Sequence, residues 1–134
     1  MAFKIYSFQK EERLCSKKLL TTLFNNGSSF LLYPFRVTWL YSSESKQDFP
    51  VQLLTAVPKK RFKSSVDRNS IKRKIKEAYR LNKGEYLYAP LQEHKILLSL
   101  NYVGNQIHEF DYIQKKLLAT FSLLLKKMEE HENH

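Results

Sequence analysis

At 134 residues the chain suits one domain with one core, and 43% hydrophobic against 27% charged residues is a globular rather than a disordered balance. Lys and Arg number 23 against 13 Asp and Glu, a formal charge of +10, which disfavours a compact state unless a polyanionic partner relieves the repulsion. The single cysteine, Cys15, excludes an internal disulfide framework and a cysteine-based zinc site, and no apolar run approaches the ~20 residues of a membrane span.

Met1 to Tyr6 lacks the apolar run of a secretory signal, because Lys4 and the polar segment Gln9 to Arg13 interrupt it, so a soluble cytoplasmic protein is expected. Ser16 can cap a short helix in which Leu19, Leu20, Leu23 and Phe24 share one side, with Asn26 and Gly27 as the stop. Phe30 to Leu32 then leads through Tyr33 and Pro34 into a strand where Phe35, Val37, Trp39 and Tyr41 alternate on one face. Ser42 to Phe49 is polar and predicts a loop, and Pro50 opens a second strand over 51–57 that Pro58 ends. Ser64 to Asp67 fits a capping box ahead of a helix over 66–81, which Asn82, Lys83 and Gly84 would stop, leaving 85–93 as a loop. A buried strand follows over 95–100, and Gly104 turns the chain. Phe110, Ile113, Leu117, Phe121, Leu124 and Met128 have the spacing of a long helix, with Asp111 and Gln114 as its capping box and 129–134 as a frayed tail. The order α-β-β-(β)-α-β-α over a single domain 1–134 predicts an α+β fold, an α/β sandwich without linker or repeat.

Charge concentrates in one segment. Residues 55–80 hold ten basic side chains and two acidic ones, eight of the ten net charges. On a helical wheel Ile71, Ile75, Ala78 and Tyr79 form the apolar face of the helix in this segment, and Asn69, Lys72, Arg73, Lys76 and Arg80 fill one adjacent arc. Glu77 is the only acid between Arg68 and Arg80, so few intrahelical ion pairs are available to a merely solvated face. The apolar face is also too narrow and too poor in Trp, Phe and Leu for a membrane-surface helix. Arg forks match phosphate oxygens, Lys supplies point charge, and Asn both donates and accepts, as a 2′-hydroxyl requires. Lys59, Lys60, Arg61 and Lys63 extend the basic surface into the preceding loop.

Lys59-Lys60, then Val66-Asp67-Arg68-Asn69-Ser70-Ile71-Lys72-Arg73, then Ile75-Lys76-Glu77-Ala78-Tyr79-Arg80 resemble the signature helix of the bacterial ribonuclease P protein component, and Arg13-Leu14 and Leu23-Phe24 before Gly27 match its N-terminal segment. Ser70 stands where that family usually has Arg. The resemblance implies a left-handed βαβ crossover and a subunit of the ribonucleoprotein that removes 5′ leaders from precursor tRNA. In that enzyme the RNA subunit is the catalyst and uses Mg2+. It further implies that Arg68, Asn69, Lys72, Arg73, Lys76 and Arg80 face ribonuclease P RNA, and the loop cations Lys59, Lys60 and Arg61 are expected to join that RNA-binding surface by their charge. Leu20, Phe24, Tyr33 and Phe35 would line a cleft for the precursor tRNA leader. No membrane and no obligate protein partner are expected. The alternative is another basic RNA- or DNA-binding module, such as a ribosomal protein.

The chain shows no catalytic constellation of its own. Two-metal hydrolysis needs converging carboxylates, and Glu11, Glu12, Glu44, Asp48, Asp67, Glu77 and the C-terminal group are dispersed. His108-Glu109 with Asp111, and His131 with His134, are the only metal-like clusters; both are expected to be incidental, so no metal ligands are assigned. His94 has no nucleophile partner, and Cys15 has no activating neighbour.

Overall fold

The computed structural model describes residues 8–42 and 49–132. A 3-10 turn at Lys10–Glu12 precedes helix α1 (Lys17–Asn26), strands β1 (Ser28–Leu32), β2 (Phe35–Tyr41) and β3 (Val51–Ala56), and helix α2 (Ser65–Lys83). A π-helical turn (Gly84–Tyr88), the short α3 (Ala89–Leu91), β4 (Ile96–Tyr102) and α4 (Phe110–Glu132) complete the chain. The sheet order is β1-β2-β4-β3; β3 and β4 are parallel and the other pairs antiparallel. A parallel pair needs a crossover connection, and α2 supplies it.

The sheet has two unlike faces. Phe35, Val37, Trp39, Leu53, Leu98, Leu100 and Tyr102 pack with Ile71, Ile75, Ala78 and Tyr79 of α2 and Ile113, Leu117, Phe121, Leu124 and Met128 of α4 in the main core. Each such aliphatic side chain, fully buried, contributes about 1.5–3 kcal/mol. The opposite face carries a smaller cluster of Leu14, Leu23 and Leu97, bordered by Leu19, Leu20, Leu40 and Leu54. Ser16 caps α1 through the Leu19 N–H at 3.3 Å. Gly27 closes it with its N–H on the Leu23 carbonyl at 2.8 Å.

Several boundaries differ from the sequence reading. Gly84 adopts φ −60°, ψ −51°, a right-handed helical conformation, so α2 does not stop there. The expected loop is instead helical through residue 91, because Leu87 and Leu91 are drawn into the core. Ser64 caps α2 without a side-chain hydrogen bond. The capping box gives way to Arg68, whose guanidinium donates to the carbonyls of Phe62 (2.8 Å) and Lys63 (2.9 Å). Gln114 is turned towards α2, accepting from Asn82 at 2.9 Å. The expected frayed tail is helical through Glu132, which receives the Tyr41 hydroxyl at 3.2 Å and His94 Nε2 at 2.8 Å. Burial and this carboxylate push the Tyr41 hydroxyl up to about 12. Most of the loop expected between Ser42 and Phe49, together with Met1 to Tyr6 and His134, lies outside the described residues.

The N-terminal segment is fastened to the far end of α2. Lys83 is buried, paired with Glu12, and its ammonium lies 5.7 Å from the Phe8 ring, 5.9 Å from Tyr79 and 5.4 Å from Tyr88. Glu12 also accepts from the Tyr88 hydroxyl at 2.6 Å and the Gln9 N–H at 2.7 Å. Burial draws Lys83 below the ordinary lysine value, against the opposing pull of Glu12. Removing one partner of such a pair strands the other charge, which costs about 3–5 kcal/mol. Glu12→Ala is therefore expected to lose stability of that order in urea unfolding, and the double variant Glu12→Leu/Lys83→Met to recover most of it; an unchanged midpoint for Glu12→Ala would contradict this role. Gly27 is a second sensitive point. A Cβ there would meet the Leu23 carbonyl at 2.4 Å and the Trp39 carbonyl at 2.9 Å, so Gly27→Ala should destabilise the fold by an overpacking cost of about 1–3 kcal/mol, read as a lower urea midpoint.

Candidate nucleic-acid interface

Helix α2 is continuous from Ser65 to Lys83, and its reverse side is fully buried at Ile71, Ile75, Ala78 and Tyr79. Asn69, Arg73 and Lys76 are exposed, with Lys72 and Arg80 half-buried beside them. At 1.5 Å rise per residue the row from Asn69 to Arg80 spans about 16 Å. Among the described residues no ion pair engages Lys72, Arg73 or Lys76. Arg80 is paired along the helix with Glu77, its Nε donating at 3.2 Å. That hydrogen bond holds the Glu77 carboxyl below its ordinary value and raises the guanidinium.

The remaining cations of α2 have structural partners. Arg68, read from sequence as part of the RNA-facing surface, is half-buried and clamps the preceding loop. Lys74, outside the stripe, donates to the His108 carbonyl at 3.0 Å. Lys59, Lys60 and Arg61 are exposed on the turn after β3, where the Arg61 and Phe62 N–H groups bond the Pro58 carbonyl at 3.1 and 3.3 Å. Phe62 anchors that turn, buried with its ring 6.1 Å from Tyr102.

The register places a groove on the other face of the sheet. Helix α1 starts beside Leu14, whose N–H bonds Leu53, and ends at Gly27 against Thr38 and Trp39. It therefore crosses the strands near one level and leaves a cross-strand row uncovered: Leu31, Arg36, Asn101 and Ala56. Leu31 is 61% exposed and Phe24, in the last turn of α1, is 57% exposed, while Leu20 is half-buried.

Two expected members of the cleft lie elsewhere. Phe35 is 0% exposed and packs against Tyr102 in the main core. Alternation along β2 was legible, but the in-phase residues face α2 and α4, and the out-of-phase set Arg36, Thr38 and Leu40 faces α1. Tyr33 lies in the turn beyond the open row, its hydroxyl 3.3 Å from His108 Nε2. Arg36, Asn101 and Ala56 stand on this face instead, Arg36 in the polar phase of the same alternation.

His108 meets Tyr33 and Tyr112, and His131 lies against Trp39 and Tyr41. Among the described residues no group of three His, Cys, Asp or Glu side chains is arranged to hold a metal ion, and no helix is long and apolar enough to cross a membrane.

The family model described as Ribonuclease P matches residues 8–129. The ribonuclease P protein component of Porphyromonas gingivalis is 34% identical over 114 residues, covering 84% of this chain and 82% of that protein. The fold is similar to the RNase P protein of Staphylococcus aureus (TM-score 0.65, 20% identity, 84% of this chain and 94% of that one). It is likewise similar to that of Thermotoga maritima (TM-score 0.64, 22% identity, 82% and 94%). The chain belongs to the ribonuclease P protein component family, the protein part of an endoribonuclease ribonucleoprotein that processes tRNA.

Proposed function

We propose that this chain is the RNA-binding subunit of ribonuclease P, docking its α2 stripe on the catalytic RNA and holding the precursor tRNA 5′ leader in the groove between α1 and the open row of the sheet. The observation that carries this reading is a basic row with a buried back, in a chain whose family is established. A cation carried on a rigid helix meets phosphate without a backbone-ordering cost, so less of its interaction is offset on docking. Each phosphate it neutralises releases condensed counterion. Lowering negative charge where RNA strands converge also favours the approach of the polyanionic substrate. In this reading Mg2+ is used by the RNA, and the protein's contribution is charge and placement. The setting is cytoplasmic, where precursor tRNA is made.

In the groove Phe24 offers an exposed ring, Arg36 a guanidinium and Asn101 an amide to an extended strand. Base stacking on an aromatic contributes about 1–3 kcal/mol and tolerates any sequence, as leaders of varied sequence require.

Cleavage of precursor tRNA by bacterial ribonuclease P RNA at low Mg2+, with and without this protein, tests the reading: stimulation is expected, and no stimulation would favour a ribosomal-type binding module. Lys72→Ala and Arg73→Ala should each weaken binding to the catalytic RNA and reduce the log–log salt slope by about 1, whereas Lys127→Ala, on α4, should do neither. Equal effects from all three would remove the stripe from the interface. Phe24→Ala should weaken binding of leader-bearing precursor by about 5- to 100-fold and leave mature tRNA unaffected. Equal losses on both would place Phe24 outside leader recognition.

A further inference from the structure

A second aromatic arrangement stands apart from both the stripe and the groove. The His108 and Tyr112 rings stack, 4.1 Å between centroids at 21°. Tyr33 meets His108 edge-on at 5.8 Å and 89°, its hydroxyl 3.3 Å from Nε2. Lys116 places its ammonium 5.5 Å from the Tyr112 ring. None of the three rings belongs to either hydrophobic cluster, and Tyr33 remains 42% exposed. A ring set that serves only stability is normally buried; this one is assembled at the surface from the β1–β2 turn, the β4–α4 connection and the first turn of α4.

The supports beneath it are rigid. The Val103 N–H bonds the Pro34 carbonyl at 2.7 Å, and the Tyr102 hydroxyl bonds the Gln106 carbonyl at 2.8 Å. Lys74 of α2 bonds the His108 carbonyl at 3.0 Å. Gly104 is packed so closely that a Cβ would lie 3.0 Å from the Tyr102 ring and 3.2 Å from Pro34. The position is also favourable for a polyanion. The turn holding Tyr33, the C-terminal ends of β3 and β4, and the exposed Lys59, Lys60 and Arg61 all lie at one end of the sheet. Glu109 and Asp111 are the acids beside the rings, exposed, while Lys116 lies over the Tyr112 ring and Lys74 holds the His108 backbone carbonyl.

We infer that Tyr33, His108 and Tyr112 form a stacking platform for an unpaired nucleobase of bound RNA, with Tyr33 as the contacting ring and His108 and Tyr112 as its positioning column. The inference rests on the RNA-binding reading above and extends it to a surface outside the groove. Unpaired bases are available from both the catalytic RNA and the precursor tRNA, and the shared chemistry is a π-face against the tyrosine.

The test compares wild type, Tyr33→Ala, Tyr33→Phe and His108→Ala by fluorescence anisotropy on a labelled oligoadenylate of about ten nucleotides and on an abasic strand of equal length. Tyr33→Ala should weaken oligoadenylate binding by about 5- to 100-fold, with the abasic strand and the salt slope unchanged. Tyr33→Phe should stay close to wild type, and His108→Ala should show a smaller loss of the same kind. Wild-type affinity in both alanine variants, or equal losses on the two strands, would overturn the platform. If Tyr33→Ala lowers the melting temperature, His108→Ala with the abasic comparison decides between the same two outcomes. Arg73→Ala, run alongside on ribonuclease P RNA, should lose affinity there; if it loses nothing, the RNA-binding reading itself fails rather than the platform alone. Repeating the comparison on ribonuclease P RNA and on precursor tRNA separately assigns the base to whichever RNA loses affinity.

Discussion

Burial of one face of α2 is the constraint on which the rest depends. A helix carrying this density of positive charge has little reason to persist alone, since its cations repel and only Glu77 offers a neighbour of opposite sign between Arg68 and Arg80. Ile71, Ile75, Ala78 and Tyr79, locked between the sheet and α4, supply the missing free energy. Cations at its two ends help fasten it. Arg68 clamps the loop before the helix, and Lys83 is held by Glu12 among three rings. The cations of α2 thus divide by partner: Arg68, Lys74 and Lys83 are engaged by the fold, and Lys72, Arg73 and Lys76 are left for solvent or a partner.

The two faces of the sheet divide labour in the same way. The in-phase residues of β2 and β4 build the core, and the out-of-phase residues give α1 a small apolar seat, then a polar row that α1 does not reach. Because α1 crosses the strands near one level, the uncovered row, the Lys59–Arg61 turn and the Tyr33 turn fall towards the same end of the molecule. A polyanion lying across that end would meet charge and aromatic surface together.

Much of this was legible in the sequence because it is periodic. The α2 and α4 core positions, the alternation of β2 and the order of helices and strands along the chain came from spacing alone, and the basic signature carried the family. What was not legible depends on pairings distant in the chain. Lys83 has the look of a helix-ending cation, yet Glu12, 71 positions away, draws it into the interior. Gly84 has the chemistry of a stop, but burial of Leu87 and Leu91 outweighs its conformational freedom. Phe35 falls on a strand as its alternation requires but on the side opposite the expected cleft, because period-2 spacing identifies two faces without saying which one α1 covers. Tyr33 could not be paired with His108 across 75 positions.

Lysine acylation footprinting of the protein, alone and bound to ribonuclease P RNA, tests the central role of α2 most directly. Protection is expected at Lys59, Lys60, Lys72 and Lys76, with Lys126 and Lys127 on α4 reacting equally in both states. Protection concentrated on Lys126 and Lys127, with Lys72 and Lys76 still reactive in the complex, would contradict docking through the anchored helix.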